Sequence, residues 1–206
     1  MNTRNINTTT AAAAIAITIL LTGCNDETTT VVTAPTAITA NDSILNSEDF
    51  IQRASMLDRK SKGDLGISTE DILEIINRYR TKPRTCGGDK LIPAAQPLTY
   101  NQKLGDASAI HNLDMILKKY FDHKGISGDS FIDRIRHIEP NAGITIGENI
   151  AAGQSDIEEV FAAWIQSPGH CVNIMNPGYQ EFGLSVILDE NSEYQIYWGT
   201  SFSSNK

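Results

Sequence analysis

Apolar residues change their spacing along this chain, and each change predicts an element. Residues 11–21, AAAAIAITILL, form an uninterrupted apolar run. From Ile72 the spacing becomes helical, with Ile75, Ile76 and Tyr79 following three and four apart. Ser68, with Asp71 three residues later, supplies an N-cap and a matching acid for that helix; Pro83 and Cys86-Gly87-Gly88 end it. A loop with Pro93 and Pro97 leads to a second helix over about 100–119. Its buried stripe is Leu104, Ala107, Ile110 or His111, Leu113 or Asp114, and Leu117. Residues 129–137 predict a third helix. Ser155, with Glu158 three residues on, starts a fourth that runs to Trp164. Strand patterns then take over at 182–188 and 194–202, joined at 189–192 as a hairpin, with 147–152 as a further strand. Helices first and strands late predict an α+β arrangement.

The first run is too short for a membrane span of about 20 residues but fits the core of a secretory signal. Arg4 precedes it and Leu21-Thr22-Gly23-Cys24 ends it, a pattern that resembles a bacterial lipobox. Residues 1–23 are therefore expected to be a lipoprotein signal peptide, and Cys24 the lipidated N-terminus that anchors the protein to a membrane. A plain signal peptide with an incidental cysteine is the alternative. Residues 24–66 are assigned as a flexible tether, its last part, 47–66, being readable as a short helix or as more linker. Residues 67–206 are assigned as the domain. The expected address is the bacterial cell envelope, outside the cytoplasm.

Composition narrows the function. Formal charge is −8 over 206 residues, and −9 once residues 1–23 are removed. Such a chain lacks the Lys/Arg surplus that phosphate binding requires, so no nucleic-acid partner is expected. The negative sign also makes the lipid, not a basic face, the expected membrane attachment. Acylation of one of the three cysteines leaves Cys86 and Cys171, which in an exported protein favour a disulfide.

Three stretches carry the chemistry. They are Ala107-x-x-x-His111-x-x-Asp114-Met115 with Tyr120-Phe121-Asp122-His123 following; Gly147-Glu148-Asn149-Ile150-Ala151; and Trp164-x-x-Ser167-Pro168-Gly169-His170-Cys171-x-Asn173. In this order and spacing the chain resembles the bacterial branch of the CAP superfamily (cysteine-rich secretory proteins, antigen 5, pathogenesis-related class 1) over about residues 70–203. The resemblance implies a three-layer α–β–α sandwich with a central cleft lined by two His and two Glu. Carried over, His123 and His170 are the histidines and Glu148 the first glutamate. Ser167 stands where the second glutamate belongs, so the set is incomplete. The family also agrees with a Cys86–Cys171 bridge. Members elsewhere are linked to sterol and fatty-acid binding and to signalling.

Physically, two converging imidazoles can hold Zn²⁺ or another divalent metal, and a carboxylate beside them can orient a ring or act as a base. His123 and His170 are thus candidate metal ligands, and Glu148, His123 and His170 candidate catalytic groups. A hydrogen-bonded network that merely joins helices to the sheet explains the same residues. His111 and Asp114 are expected in packing networks, His137 as a partner of a helix C-terminus, and Trp164, Tyr197 and Trp198 in the core. Gly-x-Ser-x-Gly is absent, which argues against a serine hydrolase. A catalytic Cys171 is disfavoured because sequence neighbours seldom point the same way. Three functions follow: an envelope-anchored binding or scaffold module for a lipid, a peptide or an envelope ligand; a metal-dependent hydrolase of peptide or envelope polymer; or a purely structural lipoprotein.

Overall fold

The computed structural model describes residues 47–205. The expected signal peptide, Cys24 and the first part of the tether lie outside the described residues. Helix α1 spans Glu48–Asp64 and α2 Thr69–Arg80. Three two-residue strands follow, β1 Arg84–Thr85, β2 Leu91–Ile92 and β3 Thr99–Tyr100. Then come α3 Gln102–Lys118, α4 Phe131–Ile138, β4 Ile146–Ala152, α5 Ile157–Gln166 and α6 Pro168–Met175. The hairpin β5 Glu181–Leu188 and β6 Ile196–Ser203 completes the chain.

One mixed sheet of order β3-β5-β6-β4 forms the middle layer. β5–β6 and β6–β4 are antiparallel, and β3 runs parallel to β5. Alternation along β5 and β6 decides what covers each face. Phe182, Leu184, Val186, Trp198 and Phe202 face α2, α5 and α6, meeting Ile72, Ile76, Phe161, Trp164 and Ile174 in the larger core. Ile187 and Tyr197 face α1 and α3, meeting Phe50, Ile110 and Leu113. The result is the expected α–β–α sandwich.

Helix α3 lies unusually close to the sheet because small residues meet there. Gly183 is so near Gly105 that a Cβ would come within 2.0 Å of the Gly105 nitrogen. Ser108 Oγ lies 2.8 Å from Ser201 Oγ, and Asn112 Nδ2 donates to Ser185 Oγ and the Tyr197 carbonyl, both at 3.2 Å. Contact through small side chains buries most of the helix circumference, so the expected single stripe is too narrow; Leu117, placed in it, is exposed.

Other differences from the sequence reading have local causes. Residues 47–66, placed with the tether but left open between a short helix and linker, form α1 and the turn into α2, capped by Ser47 and packed through Phe50 and Ala54. α2 begins at the expected capping box, with Ser68 and Asp71 bonding reciprocally. The N-cap of α5 is Asp156, one residue later than expected: Asp156 Oδ1 accepts from Glu159 N, while Ser155 bonds the Glu159 carboxylate. α6 was not foreseen; Pro168 opens it in the first-turn position where a missing N–H costs nothing. Arg80, fully buried, anchors it. Its guanidinium donates to the carbonyls of Gln96, Ile174 and Tyr179 at 2.6, 2.7 and 2.8 Å.

Candidate functional site

Three elements deliver the three expected residues to one place. Glu148 lies on β4, opposite Ser201 of β6. His123 sits on the loop after α3. His170 occupies the first turn of α6. That turn is fixed from both sides. Asn149 Nδ2 donates to the His170 carbonyl at 3.2 Å, and Asn173 Nδ2 donates to the Glu148 carbonyl at 3.0 Å and to Asn149 Oδ1 at 2.9 Å. Next to His170, Cys171 is bonded to Cys86 with their Cα atoms 5.5 Å apart, as expected. Gly87 packs on the start of the same helix, where a Cβ would come within 2.3 Å of Pro168 Cγ.

Glu148 is the buried centre, with 3% of its side chain exposed. His123 Nδ1 lies 2.9 Å from Oε1, and Arg134 Nη2 donates to Oε2, also at 2.9 Å. Burial pushes this carboxyl up; the hydrogen bond from His123, with the charges of His111 and Arg134, outweighs burial and holds it below the usual range. An ionised carboxylate only accepts, so His123 Nδ1 carries the proton and its Nε2 keeps a lone pair while the ring is neutral. The same hydrogen bond, followed by burial and the Glu148 charge, leaves His123 easier to protonate than usual. Burial, and then the neighbouring His123, makes His170 harder to protonate. His170 therefore holds a neutral imidazole at neutral pH.

The two rings stand 6.4 Å apart, centre to centre, and are tilted by 49°. Imidazoles sharing one zinc at about 2.0–2.1 Å have centres on the order of 5–6 Å apart, closer than these two rings stand. Among the described residues no group of three or more His, Cys, Asp or Glu is placed to hold a metal ion. A metal there would have only His123 Nε2 and a ring nitrogen of His170 as protein ligands, too few for a closed site. Ser167 lies at the junction of α5 and α6, where its side chain makes no capping hydrogen bond.

Arg134 was missed from the sequence. It donates to Glu148, to the His123 carbonyl at 3.0 Å and to Asp129 Oδ2 at 3.2 Å, joining the carboxylate to the histidine loop. A signal was available: Phe131, Arg134, Ile135 and Ile138 share one face of a short amphipathic helix, and a cation on an apolar face requires a buried partner. His111 is buried beneath this loop, with Nε2 2.8 Å from the Asp122 carbonyl. Asp114 accepts from Tyr120 at 2.5 Å and from Lys118 at 2.8 Å, in a packing network as expected. Trp164, Tyr197 and Trp198 are buried, also as expected.

Comparison with known proteins gives a consistent family. The family model described as CAP, cysteine-rich secretory protein family, matches residues 73–202. An uncharacterized Bacillus subtilis protein, YkwD, is 37% identical over 95 residues, 45% of this chain and 35% of that protein. An uncharacterized membrane protein of the same organism, YlbC, is 26% identical over 140 residues, 67% of this chain and 37% of its own. These matches thus span about a third of each curated relative. Among solved structures, an extracellular SCP-domain protein from Bacillus anthracis is similar with TM-score 0.53 and 22% identity, over 66% of this chain and 40% of that one. An outer surface protein from Borrelia burgdorferi is similar with TM-score 0.54 and 17% identity, over 66% of this chain and 92% of its own. At these identities the structural likeness is one of fold.

Proposed function

Because the chain belongs to the cysteine-rich secretory protein (CAP) family, we propose that it is an extracytoplasmic binding or scaffold module of the bacterial cell envelope. On this reading residues 1–23 are a signal peptide, and a lipid on Cys24 holds the domain at a membrane. The His123–His170 cleft takes a divalent metal, or a polar group of a lipid, peptide or envelope ligand. Family membership alone does not select an activity, because one fold hosts many functions. The extracellular and outer-surface descriptions of the two structural relatives support the address. The Cys86–Cys171 bond suits an oxidising compartment.

One observation favours binding over hydrolysis: Glu148 is buried, and each of its oxygens already accepts a hydrogen bond, from His123 and from Arg134. A general base must reach the water it activates, and its basicity should match the working pH. Glu148 is buried, is held below the usual carboxylate range, and bonds to groups that orient it. It therefore serves to fix His123, as carboxylates behind metal-bound imidazoles do. Ser167, in the place of a second glutamate, supplies no replacement base.

The test pairs zinc calorimetry with turnover of peptide and envelope-polymer substrates. The binding reading expects zinc uptake that His170→Ala removes, and no zinc-dependent turnover. Turnover that chelation abolishes, zinc restores and Glu148→Gln eliminates would establish the metal-dependent hydrolase instead. No uptake in either protein would exclude the metal and leave the polar-ligand cleft.

A further inference from the structure

Half of the His123 side chain is exposed, so packing alone does not fix its ring. Among the described residues, no backbone-to-backbone hydrogen bond involves residues 121–124, the stretch that carries it. Two buried side chains stand in for that missing ladder. His111 of α3 donates from Nε2 to the Asp122 carbonyl at 2.8 Å, and Arg134 of α4 donates to the next carbonyl, that of His123, at 3.0 Å. These two carbonyls belong to the peptide planes on either side of the His123 Cα. With both planes held, the two backbone dihedrals of His123 are fixed, and with them the direction of its side chain.

Arg134 also binds Glu148, whereas the hydrogen bond of His111 goes to the loop backbone alone. A carbonyl only accepts, so Nε2 of His111 carries the proton; burial makes this ring harder to protonate despite the Glu148 charge. Nδ1 of the neutral ring is buried without a hydrogen-bond partner. A leucine at this place would avoid the cost of burying an unpaired polar atom, so packing by itself does not call for histidine. The ring is braced in turn. Tyr120 meets it at 62° with centres 6.1 Å apart, and Tyr120 donates to Asp114, which pairs with Lys118.

We propose that His111 is a positioning residue of the cleft: by holding the Asp122 carbonyl it sets the His123 ring with Nδ1–H on Glu148 and keeps the Nε2 lone pair for a ligand. This rests on the reading of His123 and His170 as a ligand-binding cleft. The test compares His111→Gln, whose amide N–H reaches about as far as Nε2, with His111→Asn, one bond shorter, and His111→Leu, which has no donor. Long-range proton–nitrogen NMR of the full chain reads the His123 tautomer at a pH where that ring is neutral. No metal is added, so the result is independent of zinc uptake. Near-UV circular dichroism checks the fold. The expectation is a single Nδ1–H form of His123 in the wild type and in His111→Gln. The leucine and asparagine variants should lose it to a mixture containing the Nε2–H form. A folded leucine variant that keeps the single form overturns the proposal and leaves His111 to packing, as does a glutamine variant that behaves like leucine. A wild type without the Nδ1–H form overturns both the proposal and the site geometry beneath it. Should the leucine variant not fold, the asparagine and glutamine variants carry the same comparison.

Discussion

Replacing Arg134 by methionine removes the guanidinium while keeping much of the side-chain volume. Arg134 and Glu148 have 4% and 3% of their side chains exposed and meet at 2.9 Å. Deleting one member of a buried pair leaves the other charged, desolvated and uncompensated, which costs about 3–5 kcal/mol. His123 still holds Oε1, so the lower end applies, about 3 kcal/mol at neutral pH. For a folded region of this size that lowers the melting temperature by roughly 6–12 °C. Denaturant unfolding at about pH 7 and about pH 4 measures the difference and its pH dependence. The native carboxyl lies below its ordinary value, so its stabilisation is present above the unfolded pKa and is lost as pH falls through the folded one. Without Arg134, burial dominates and Glu148 takes up a proton more readily, so the deficit shrinks on acidification. A loss under about 1 kcal/mol at pH 7, the range of an exposed pair, would refute the role given to Arg134, as would an equal loss at both pH values.

Three further outcomes follow from the same structure. Cys86→Ser with Cys171→Ser opens a loop that the chain-entropy description values at roughly 4–5 kcal/mol, measurable by urea unfolding; mass spectrometry of the exported wild type without reductant should find no alkylatable Cys86. In a ring-proton NMR titration, His123 should have its midpoint above that of an ordinary histidine and His170 below it, and Glu148→Gln should bring His123 down. The His123 interaction then stabilises the fold below the unfolded histidine pKa and fades as pH rises through the folded value; an unmoved His123 midpoint in the variant would contradict the hydrogen bond. Asp156→Ala should cost about 1 kcal/mol in thermal unfolding and Ser155→Ala clearly less, because Asp156 carries the α5 cap; the reverse order would restore the cap to Ser155.

Legibility followed the range of the interaction responsible. The Ser68–Asp71 capping box and the Ile72, Ile75, Ile76 spacing operate within one or two turns, and α2 starts where they predict. The β5–β6 hairpin is equally local, its turn falling at Asp189–Ser192. His123, Glu148 and His170 were found through motif order. By contrast, residues 47–66 read equally as a short helix or as linker, because the amides that α1 caps, those of Val186 and Leu188, lie more than 120 residues away and no local pattern advertises them. The stripe on α3 was drawn too narrow because glycines and serines across the sheet let the helix sink, a property of the facing strands rather than of α3.

The candidate site divides in the same way. Its residue types, the odd cysteine count and the serine in place of a second glutamate are written in the chain order, since covalent chemistry and side-chain identity need no folding to be read. The roles are not. Whether Glu148 is a base or a brace depends on which groups reach its two oxygens. Those groups come from a loop after α3 and from α4, brought to β4 only when α3 and α4 pack together on the sheet. A buried charge takes its meaning from its neighbours, and here the neighbours are assembled by packing.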